Sequence, residues 1–471
     1  MKPLSRPASH PAPALPEEDL VVTNPRTGAL VGQVRPSSAE GVAAACRSAA
    51  AAGAQWAATS AQDRGQALSR CAKALEKHAR ALAQIQHLET GRAVDEALEG
   101  VLAGVATLEQ YAQLGPVHRG KSLRGAGIAA DYTVQRPRGV VAALTPWNDP
   151  VAVACGLIGA ALVMGNTVVH KPSERCPHLG QELGRVLAAE LPGDVLHTLT
   201  GAAATGAALA ADNHVRVIAH VGSSATGEKL RLLAATTGAH VIVENGGNDP
   251  LVVDDGVDPV WAARQASIGA FSNSGQICTS VERIYVHQGI AEAFLEALEA
   301  EAGGINAALS LGPLVDGRLR DHVHRQVQDA VAQGAHATVG GDVPQQPGSH
   351  YPATVLRGCT ETMAVMQEET FGPVAPVQVV DSFAQGLELA ARGRYGLAAS
   401  VLTGSLLHAQ QAVAALDVGT VKINNVFGGA PGGAAQPRRA SGAGFGYGPE
   451  LLDEMSLVTV VHIEPAPEAG P

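Results

Sequence analysis

The sequence has few of the features that mark several specialised classes of protein. Only 6 of its 471 residues are cysteine, and no two of them form a Cys-x-x-Cys pair. This spacing excludes a disulfide-stabilised scaffold and a cysteine zinc site. The longest apolar stretch, 151–165, has 15 residues, whereas a membrane-spanning helix needs about 20. We therefore expect a cytoplasmic protein with no membrane segment and no metal site.

Positive charge and aromatic residues are also scarce. Lysine and arginine number 33 against 44 aspartate and glutamate, a net charge of −11. A protein that binds nucleic acid or an anionic membrane needs a basic surface, so neither partner is expected. Hydrophobic residues make up 46% and aromatic residues 3%, which is typical of a globular protein rich in alanine, valine, leucine and glycine.

The chain is long enough for two or three domains, and its hydrophobic pattern changes along its length. Residues 37–114 follow a helical period that begins with a capping-box pattern at Ser37 and Glu40. From residue 139, five β-branched runs alternate with helical stretches, which predicts a doubly wound parallel sheet. A second alternating α/β segment, predicted from residue 251 to about residue 447, contains a Gly/Ala/Pro-rich loop at 428–437.

Two further segments, 131–136 and 457–464, have strand-like sequences outside these α/β regions. They could pair with each other or with a partner chain.

Three residues have the chemistry of a catalytic site. Cys278 follows a Gly-Gln turn among small polar residues, where a thiolate can be an accessible nucleophile; the alternative is a buried structural thiol. Glu244 ends a β-branched strand and precedes two glycines, so it is either a general base at the crevice of the sheet or a solvated strand end. Asn148 can donate an N–H to an oxyanion or form part of a turn.

Two turns could bind a dinucleotide. Lys171 and Glu174 flank the exit of the second predicted strand and could hydrogen-bond ribose hydroxyls. The segment 222–227 enters a predicted helix and offers backbone N–H groups to a pyrophosphate. Because no G-x-G-x-x-G follows a strand, these segments could equally be ordinary turns.

Read together, these motifs resemble the aldehyde dehydrogenase superfamily over nearly the whole chain. The resemblance also includes Leu-Glu-Thr-Gly at 88–91 and Glu-Glu-Thr-Phe-Gly-Pro at 368–373, and it includes the 34-residue spacing of Glu244 and Cys278. It implies an NAD-dependent enzyme that oxidises a small-molecule aldehyde to a carboxylic acid. By resemblance, Cys278 is the nucleophile, Asn148 holds the oxyanion, and Glu244 activates the water that hydrolyses a thioester.

The resemblance also implies a set of cofactor-binding residues on both predicted α/β regions. They are Trp147, Lys171, Glu174, Gly222, Ser223, Gly227, Glu369 and Phe371. A carboxylate at Glu174 accepts hydrogen bonds from ribose hydroxyls and repels a 2′-phosphate, so we expect NAD in preference to NADP.

The resemblance further implies the domain organisation and the assembly. We expect a flexible proline-rich tail at 1–20 and a Rossmann-like NAD-binding domain at 21–117 and 138–246. A catalytic domain would span 247–446, and oligomerisation strands at 118–137 and 447–466 would build a homodimer or homotetramer. The alternatives are a coenzyme A-acylating semialdehyde dehydrogenase, which needs no base at Glu244, and a catalytically silent structural relative.

The substrate tunnel departs from the family pattern. Many relatives read Trp-Asn-Phe-Pro where this chain has Asp149, and we expect Asp149, Val153 and Ser272 to line a wide, slightly negative tunnel. Neutral or amine-bearing aldehydes should then be better substrates than succinate semialdehyde, unless Arg438 or Arg439 folds in. The alternative is that Asp149 caps the helix that follows it.

Overall fold

The computed structural model of the protein describes residues 18–125, 127, 129–428 and 436–466. Most of the predicted tail at 1–20 and most of the predicted loop at 428–437 lie outside these residues. No helix in the described part of the chain is both long and apolar enough to cross a membrane.

The N-terminal part contains a two-stranded antiparallel sheet, three long helices and two further strands. They are β1 (Leu20–Thr23), β2 (Leu30–Val34), α1 (Ala39–Ala58), α2 (Ala61–Thr90), α3 (Val94–Val117), β3 (Ser122–Leu123) and β4 (Ala130–Pro137). The predicted capping box at Ser37 and Glu40 is wrong by one residue. Ser38 caps α1 by accepting the Gly41 N–H at 3.1 Å. Ser37 cannot do so because its hydroxyl accepts the Thr200 N–H at 3.1 Å.

A parallel sheet with helices on both faces follows. Its elements are β5 (Val140–Leu144), α4 (Pro150–Val163), β6 (Thr167–Lys171), α5 (Pro177–Ala188), β7 (Leu196–Thr198), α6 (Ala203–Ala211), β8 (Val215–Val221), α7 (Ser224–Thr237) and β9 (His240–Glu244). The parallel strands have the order β9-β8-β5-β6-β7. This confirms the predicted doubly wound sheet.

Successive side chains of β5 point to opposite faces of the parallel sheet, and each face packs against helices. Val141 and Ala143 pack into a core shared with α2, α3, α4 and α5. Val140 and Ala142 pack into a second core on the other face, shared with α1, α6 and α7. Because both faces are buried, the strand reads as a continuous apolar run.

The second α/β region forms a seven-stranded sheet. Its elements are β10 (Asp249–Val253), α8 (Pro259–Phe271), β11 (Val281–His287), α9 (Ala291–Ala307), α10 (Gly317–Ala332), β12 (His336–Val339), β13 (Thr354–Arg357), β14 (Val374–Val380), α11 (Phe383–Ala391), β15 (Ala398–Leu402), α12 (Leu406–Ala415) and β16 (Thr420–Ile423). The order is β12-β13-β14-β11-β10-β15-β16, parallel except for the β12–β13 pair.

The C-terminal segment returns to two of the earlier sheets. It contains β17 (Gly442–Ala443), α13 (Leu451–Glu454) and β18 (Ser456–Ile463). β17 adds an antiparallel strand beside β9. β18 pairs antiparallel with β4 along its whole length, in a small sheet of order β18-β4-β3. The two strand-like segments outside the α/β regions therefore pair with each other, as one of the two predicted alternatives held.

Candidate active site

The loop that carries Cys278 is a strained turn after α8. Asn273, Ser274 and Gly275 all have left-handed backbone angles, with φ of 48°, 58° and 72°. A side chain at Gly275 would place its Cβ 2.1 Å from the Gly372 carbonyl oxygen, so only glycine fits. Gln276 fixes the turn because its side chain accepts the Val315 N–H at 2.9 Å and donates to the Asn273 carbonyl at 3.0 Å. Strain held in this way is typical of functional sites.

Cys278 lies on the loop before β11 and meets Glu244 at the end of β9, so the contact joins the two large sheets. The Cys278 Sγ lies 3.9 Å from Glu244 Oε1, at the end of β9, and the thiol donates to the carboxylate. Cys278 is half-buried, whereas the other five cysteines are buried. The accessible thiol is therefore the one that the sequence selected as nucleophile.

Burial controls the protonation of this pair. It raises the pKa of Glu244 above its ordinary value, an effect that the thiol hydrogen bond partly offsets. Burial, together with the carboxylates of Glu244, Asp249 and Glu369, raises the pKa of the Cys278 thiol well above its ordinary value. Cys278 and Glu244 thus share one hydrogen bond, and burial favours the neutral form of each group.

Asn148 lies between β5 and α4 and faces the same loop. Its Nδ2 donates to the Gln276 carbonyl oxygen at 3.1 Å, two residues before Cys278. Its own carbonyl oxygen accepts from Arg92 Nη1 at 3.3 Å. The structure thus brings the amide of Asn148, the thiol of Cys278 and the carboxylate of Glu244 into one site.

Asp149 pairs with an arginine and does not cap the helix that follows it. Its side chain makes no capping hydrogen bond to α4, so the capping interpretation is wrong. Its Oδ1 lies 3.3 Å from Arg92 Nη1. Arg438 and Arg439 both pair with Asp417 instead. The Asp149 carboxylate therefore forms an ion pair with Arg92, which lies between α2 and α3, and its position in a substrate tunnel stays a prediction.

The two other predicted tunnel residues have different environments. Ser272 donates to the Ile268 carbonyl at 2.7 Å. With Arg92 it lines a cavity of about 390 Å³ beside the nucleophile loop. Val153 is half-buried and packs against the apolar core of the parallel sheet.

The turns after β6 and β8 open at the same edge of the parallel sheet. Lys171 is buried, and its Nζ donates to the carbonyls of Pro172 at 2.7 Å and Gly201 at 2.8 Å. Burial lowers the pKa of Lys171, and the nearby Glu174 partly offsets this. Glu174 is half-buried in the same turn.

Ser223 caps α7 and accepts the Thr226 N–H at 3.4 Å. A Cβ at Gly222 would lie 2.7 Å from the His220 ring. At Gly227 it would lie 2.1 Å from Asn245 Oδ1, so this glycine lets α7 pack closely on the strand beneath it. The N-terminus of α7 is left facing the crevice, as binding of a phosphate requires.

The second sheet contributes the opposite wall. Glu369 Oε1 accepts the Gly247 N–H at 3.2 Å, and its carboxylate occupies the space where a side chain at Gly246 would lie. Phe371, with φ of 52°, meets the Trp147 ring edge-on at 5.6 Å between centroids.

Three contributors to the site were not predicted from the sequence. Glu282 is buried in β11 and accepts the Thr370 and Phe371 N–H groups, both at 2.8 Å, so it holds the loop of Glu369 and Phe371. Burial raises the pKa of Glu282 to about 7. Arg92 and Arg175 are the other two. For Glu282, a signal was present, because a Glu-Arg pair interrupts an otherwise apolar strand.

These groups fit a nicotinamide dinucleotide. The N-terminus of α7 suits a pyrophosphate, Lys171 and Glu174 suit ribose hydroxyls, and the glycine at 246 lets the Glu369 carboxylate approach the backbone. Within the described residues, no group of three or more histidine, cysteine or acidic side chains could hold a metal ion.

Comparisons with known proteins agree with this arrangement. The sequence model described as "Aldehyde dehydrogenase family" matches residues 14–461. A betaine aldehyde dehydrogenase of Cereibacter sphaeroides is 34% identical over 430 residues, which cover 88% of this chain and 89% of the relative.

Solved structures share the fold as well. Betaine aldehyde dehydrogenase of Staphylococcus aureus in complex with NAD⁺ superposes with a TM-score of 0.92 at 26% identity, covering 96% of this chain and 93% of the other. An NADP-dependent enzyme of E. coli gives 0.91 at 28% identity, covering 96% and 98%. The predicted fold class and the predicted family are confirmed. The chain belongs to the aldehyde dehydrogenase family and is an NAD(P)-dependent aldehyde dehydrogenase.

Proposed function

We propose that this protein oxidises an aldehyde to a carboxylic acid by a hydrolytic route on Cys278, with NAD in preference to NADP. The observation that carries the proposal is the 3.9 Å contact between Cys278 Sγ and Glu244 Oε1, beside the amide of Asn148. One site thus holds a nucleophile, a base and an oxyanion donor. The intact set also argues against a catalytically silent relative.

In the first step the Cys278 sulfur attacks the carbonyl carbon and a C–S bond forms. The thiol proton leaves to Glu244, whose raised pKa favours its uptake, and the carbonyl electron pair moves onto oxygen. The Asn148 amide and the Cys278 backbone N–H then stabilise this oxyanion. A bound nicotinamide ring supplies the hydride acceptor for oxidation of the thiohemiacetal to a thioester.

In the last step Glu244 acts as general base. After the proton taken from the thiol has left to solvent, the Glu244 carboxylate takes a proton from water, and the water oxygen attacks the thioester carbon. The C–S bond then breaks, the acid leaves, and Glu244 returns its proton to the Cys278 thiolate. A coenzyme A-acylating enzyme would not need this carboxylate, so the position of Glu244 supports hydrolysis.

Two variants test this proposal. Cys278→Ala should abolish NADH formation while dinucleotide binding persists, because the thiol is not among the groups proposed to hold the cofactor. Glu244→Gln should give a burst of NADH followed by a slow steady state. The steady-state rate should fall by about 10²- to 10⁴-fold, the usual contribution of a general base. Turnover retained in Cys278→Ala would refute the route, and acceleration by coenzyme A would favour the acylating alternative.

The preference for NAD follows from Glu174. Its carboxylate would repel a 2′-phosphate, and close like charges cost about 1 to 4 kcal/mol at an effective dielectric of 20 to 80. Lys171 offsets this only in part, because its Nζ already donates to two carbonyl groups. Equal kcat/KM values for NAD and NADP would contradict this role of Glu174.

We also propose that the chain forms a homodimer or homotetramer through the small sheet of 118–137 and 447–466. β18 is an edge strand of that sheet, and Val458 and Val460 are 61% and 64% exposed. An apolar edge strand is a pairing surface for a second copy. We further propose that the NAD-binding domain comprises residues 21–117 and 138–246. The proposed catalytic domain comprises residues 247–446. Val460→Lys should reduce the oligomer, as measured by light scattering.

A further inference from the structure

The Glu244 carboxylate lies between the nucleophile and the C-terminal segment of the chain. Its Oε1 faces the Cys278 thiol at 3.9 Å. Its Oε2 faces Gly446, where an added Cβ would lie 2.6 Å from that oxygen. Because this distance is shorter than Cβ contacts allow, a side chain at 446 would push the carboxylate, the flexible end of Glu244, out of its place. Glycine at 446 therefore lets the base lie beside the thiol.

The segment 442–446 starts on the strand that carries Glu244. Gly442 pairs with Glu244 in the antiparallel contact of β17 with β9. The chain then turns at Gly444, whose φ of 79° is one that glycine adopts readily. It passes the carboxylate a second time at Gly446. The distance between Gly446 and the base thus depends on what holds this turn.

Glu454 holds the turn. Its Oε1 accepts the Phe445 N–H at 3.2 Å, and a Cβ at Gly444 would lie 3.2 Å from the same oxygen. Its Oε2 lies 2.5 Å from His240 Nε2. The hydrogen bond from His240 lowers the pKa of Glu454 below its ordinary value, so the carboxylate is ionised at neutral pH and accepts both bonds.

Glu454 is itself fixed to the core of the parallel sheet. It is the last residue of α13, and the two leucines of this helix are buried in that core. Its carbonyl oxygen accepts from Arg138 Nε at 2.7 Å. Its partner His240 is the first residue of β9, and Glu244 is the last. Glu454 therefore ties the turn to a packed helix and to the strand of the base.

We propose that Glu454 is a positioning residue for the base: with His240, it holds the turn 444–446 against the Glu244 carboxylate and so keeps Glu244 Oε1 at Cys278. Glu454 acts through the turn and takes no proton in the reaction. This inference rests on the function proposed above, since it assumes that Glu244 activates the water that hydrolyses the thioester.

The test measures hydrolysis of the thioester directly. The enzyme with excess NAD is mixed with radiolabelled hexanal or benzaldehyde, whichever the wild type oxidises faster, and the loss of labelled acyl-enzyme is followed after acid quenching. Glu454→Ala should slow hydrolysis by about 10- to 100-fold, the effect of moving a catalytic group by about 1 Å. The NADH burst should remain, as in Glu244→Gln.

Two further variants and a control address the same contact. Gly446→Ala should slow hydrolysis by a similar factor, because its Cβ displaces the carboxylate directly. Glu454→Gln keeps an acceptor for the Phe445 N–H and should retain more of the rate than Glu454→Ala. The control Asp453→Asn changes the adjacent carboxylate of α13, which pairs with His118 at 3.1 Å. It should hydrolyse the thioester at the wild-type rate.

A double variant separates positioning of the base from a general structural role. In Glu244→Gln the base is absent, so the addition of Glu454→Ala should have no further effect on hydrolysis. A structural role unrelated to the base would lower the rate in both backgrounds. The decay of acyl-enzyme is a first-order rate, so it does not depend on the fraction of folded enzyme. If Glu454→Ala does not fold, Gly446→Ala gives the same comparison.

A wild-type rate of hydrolysis in Glu454→Ala or in Gly446→Ala would overturn the inference. So would an equal fall in Asp453→Asn, or a further fall in the double variant. Each of these results leaves the proposed function standing if Glu244→Gln alone hydrolyses the thioester slowly. A wild-type rate in Glu244→Gln would instead refute the proposed function.

Discussion

Arg175 joins the two walls of the proposed cofactor crevice, and its removal should weaken dinucleotide binding. It lies one residue after Glu174, and its Nη2 is 2.9 Å from the carboxylate of Asp316, the N-cap of α10. Its guanidinium also stacks over the Trp147 ring at 5.1 Å, and Trp147 in turn contacts Phe371. The perturbation is Arg175→Met, which keeps the length of the side chain and removes the charge.

The magnitude follows from the two contacts. Both side chains of the ion pair are about three-quarters buried, with 23% and 25% exposure. Such a pair contributes about 1 kcal/mol, near the top of the range for surface pairs. The cation–π contact adds about 0.5 to 1 kcal/mol. If the whole loss is expressed in cofactor binding, Kd for NAD rises by about 10- to 30-fold, since about 1.4 kcal/mol corresponds to a factor of ten.

The assay is NAD titration by fluorescence quenching, together with KM and kcat at saturating aldehyde. We expect Kd and KM for NAD to rise together and kcat to change much less, because Arg175 is a positioning residue and touches no reacting atom. A double-mutant cycle with Asp316→Asn should show coupling between the two residues. The control is Arg438→Met, which breaks the exposed pair with Asp417.

An unchanged Kd for NAD in Arg175→Met would refute this reasoning. So would a Kd increase of equal size in Arg438→Met, because that increase would reflect general loss of charge. A fall in kcat at unchanged Kd would show that Arg175 acts on the chemical steps instead.

Four further outcomes follow from the site. As the pH is lowered, the rate of deacylation should begin to fall at a pH above the ordinary pKa range of glutamate, because the base must be ionised and burial raises the pKa of Glu244. This acid limb of the pH–rate profile should be absent in Glu244→Gln. Glu282→Gln should lower the free energy of unfolding by about 1 to 3 kcal/mol in urea titrations, because a buried acceptor of two backbone N–H groups is altered. Gly275→Ala should be destabilised by about 1 to 3 kcal/mol and inactive in NADH assays, since φ is 72° and the Cβ would meet a carbonyl oxygen. Glu174→Gln should raise the NADP to NAD ratio of kcat/KM, and an unchanged ratio would place Glu174 away from the ribose.

The doubly wound sheet was predictable because its strands are buried on both faces. Runs such as 140–144 and 167–171 are apolar throughout, and their spacing leaves room for one crossover helix each. The ends of these runs are enough to predict that Asn148, Lys171 and Glu244 lie at one edge of a sheet. The capping box failed because two adjacent serines precede α1, and only the tertiary contact to Thr200 decides which one caps it.

The partners of charged side chains could not be predicted, since they come from distant parts of the chain. Arg92 and Asp149 are 57 residues apart, and nothing in the local pattern around either residue indicates the other. Asp149 at the start of a helix reads as a cap, but its backbone angles, φ −136° and ψ 64°, and the nearby guanidinium give it a different role. The Asp149 carboxylate is thus one half of an ion pair.

The sequence by itself determined the order of the elements, the family and the residue types that can carry out the chemistry, because these depend on local periodicity and on motifs within a few residues. The tertiary structure alone decided what those residues meet. It placed the Cys278 thiol 3.9 Å from Glu244, and it paired Arg92 with Asp149 beside Asn148. Side chains from two different sheets come together there, and their charge and protonation depend on burial and neighbours that no local sequence pattern records.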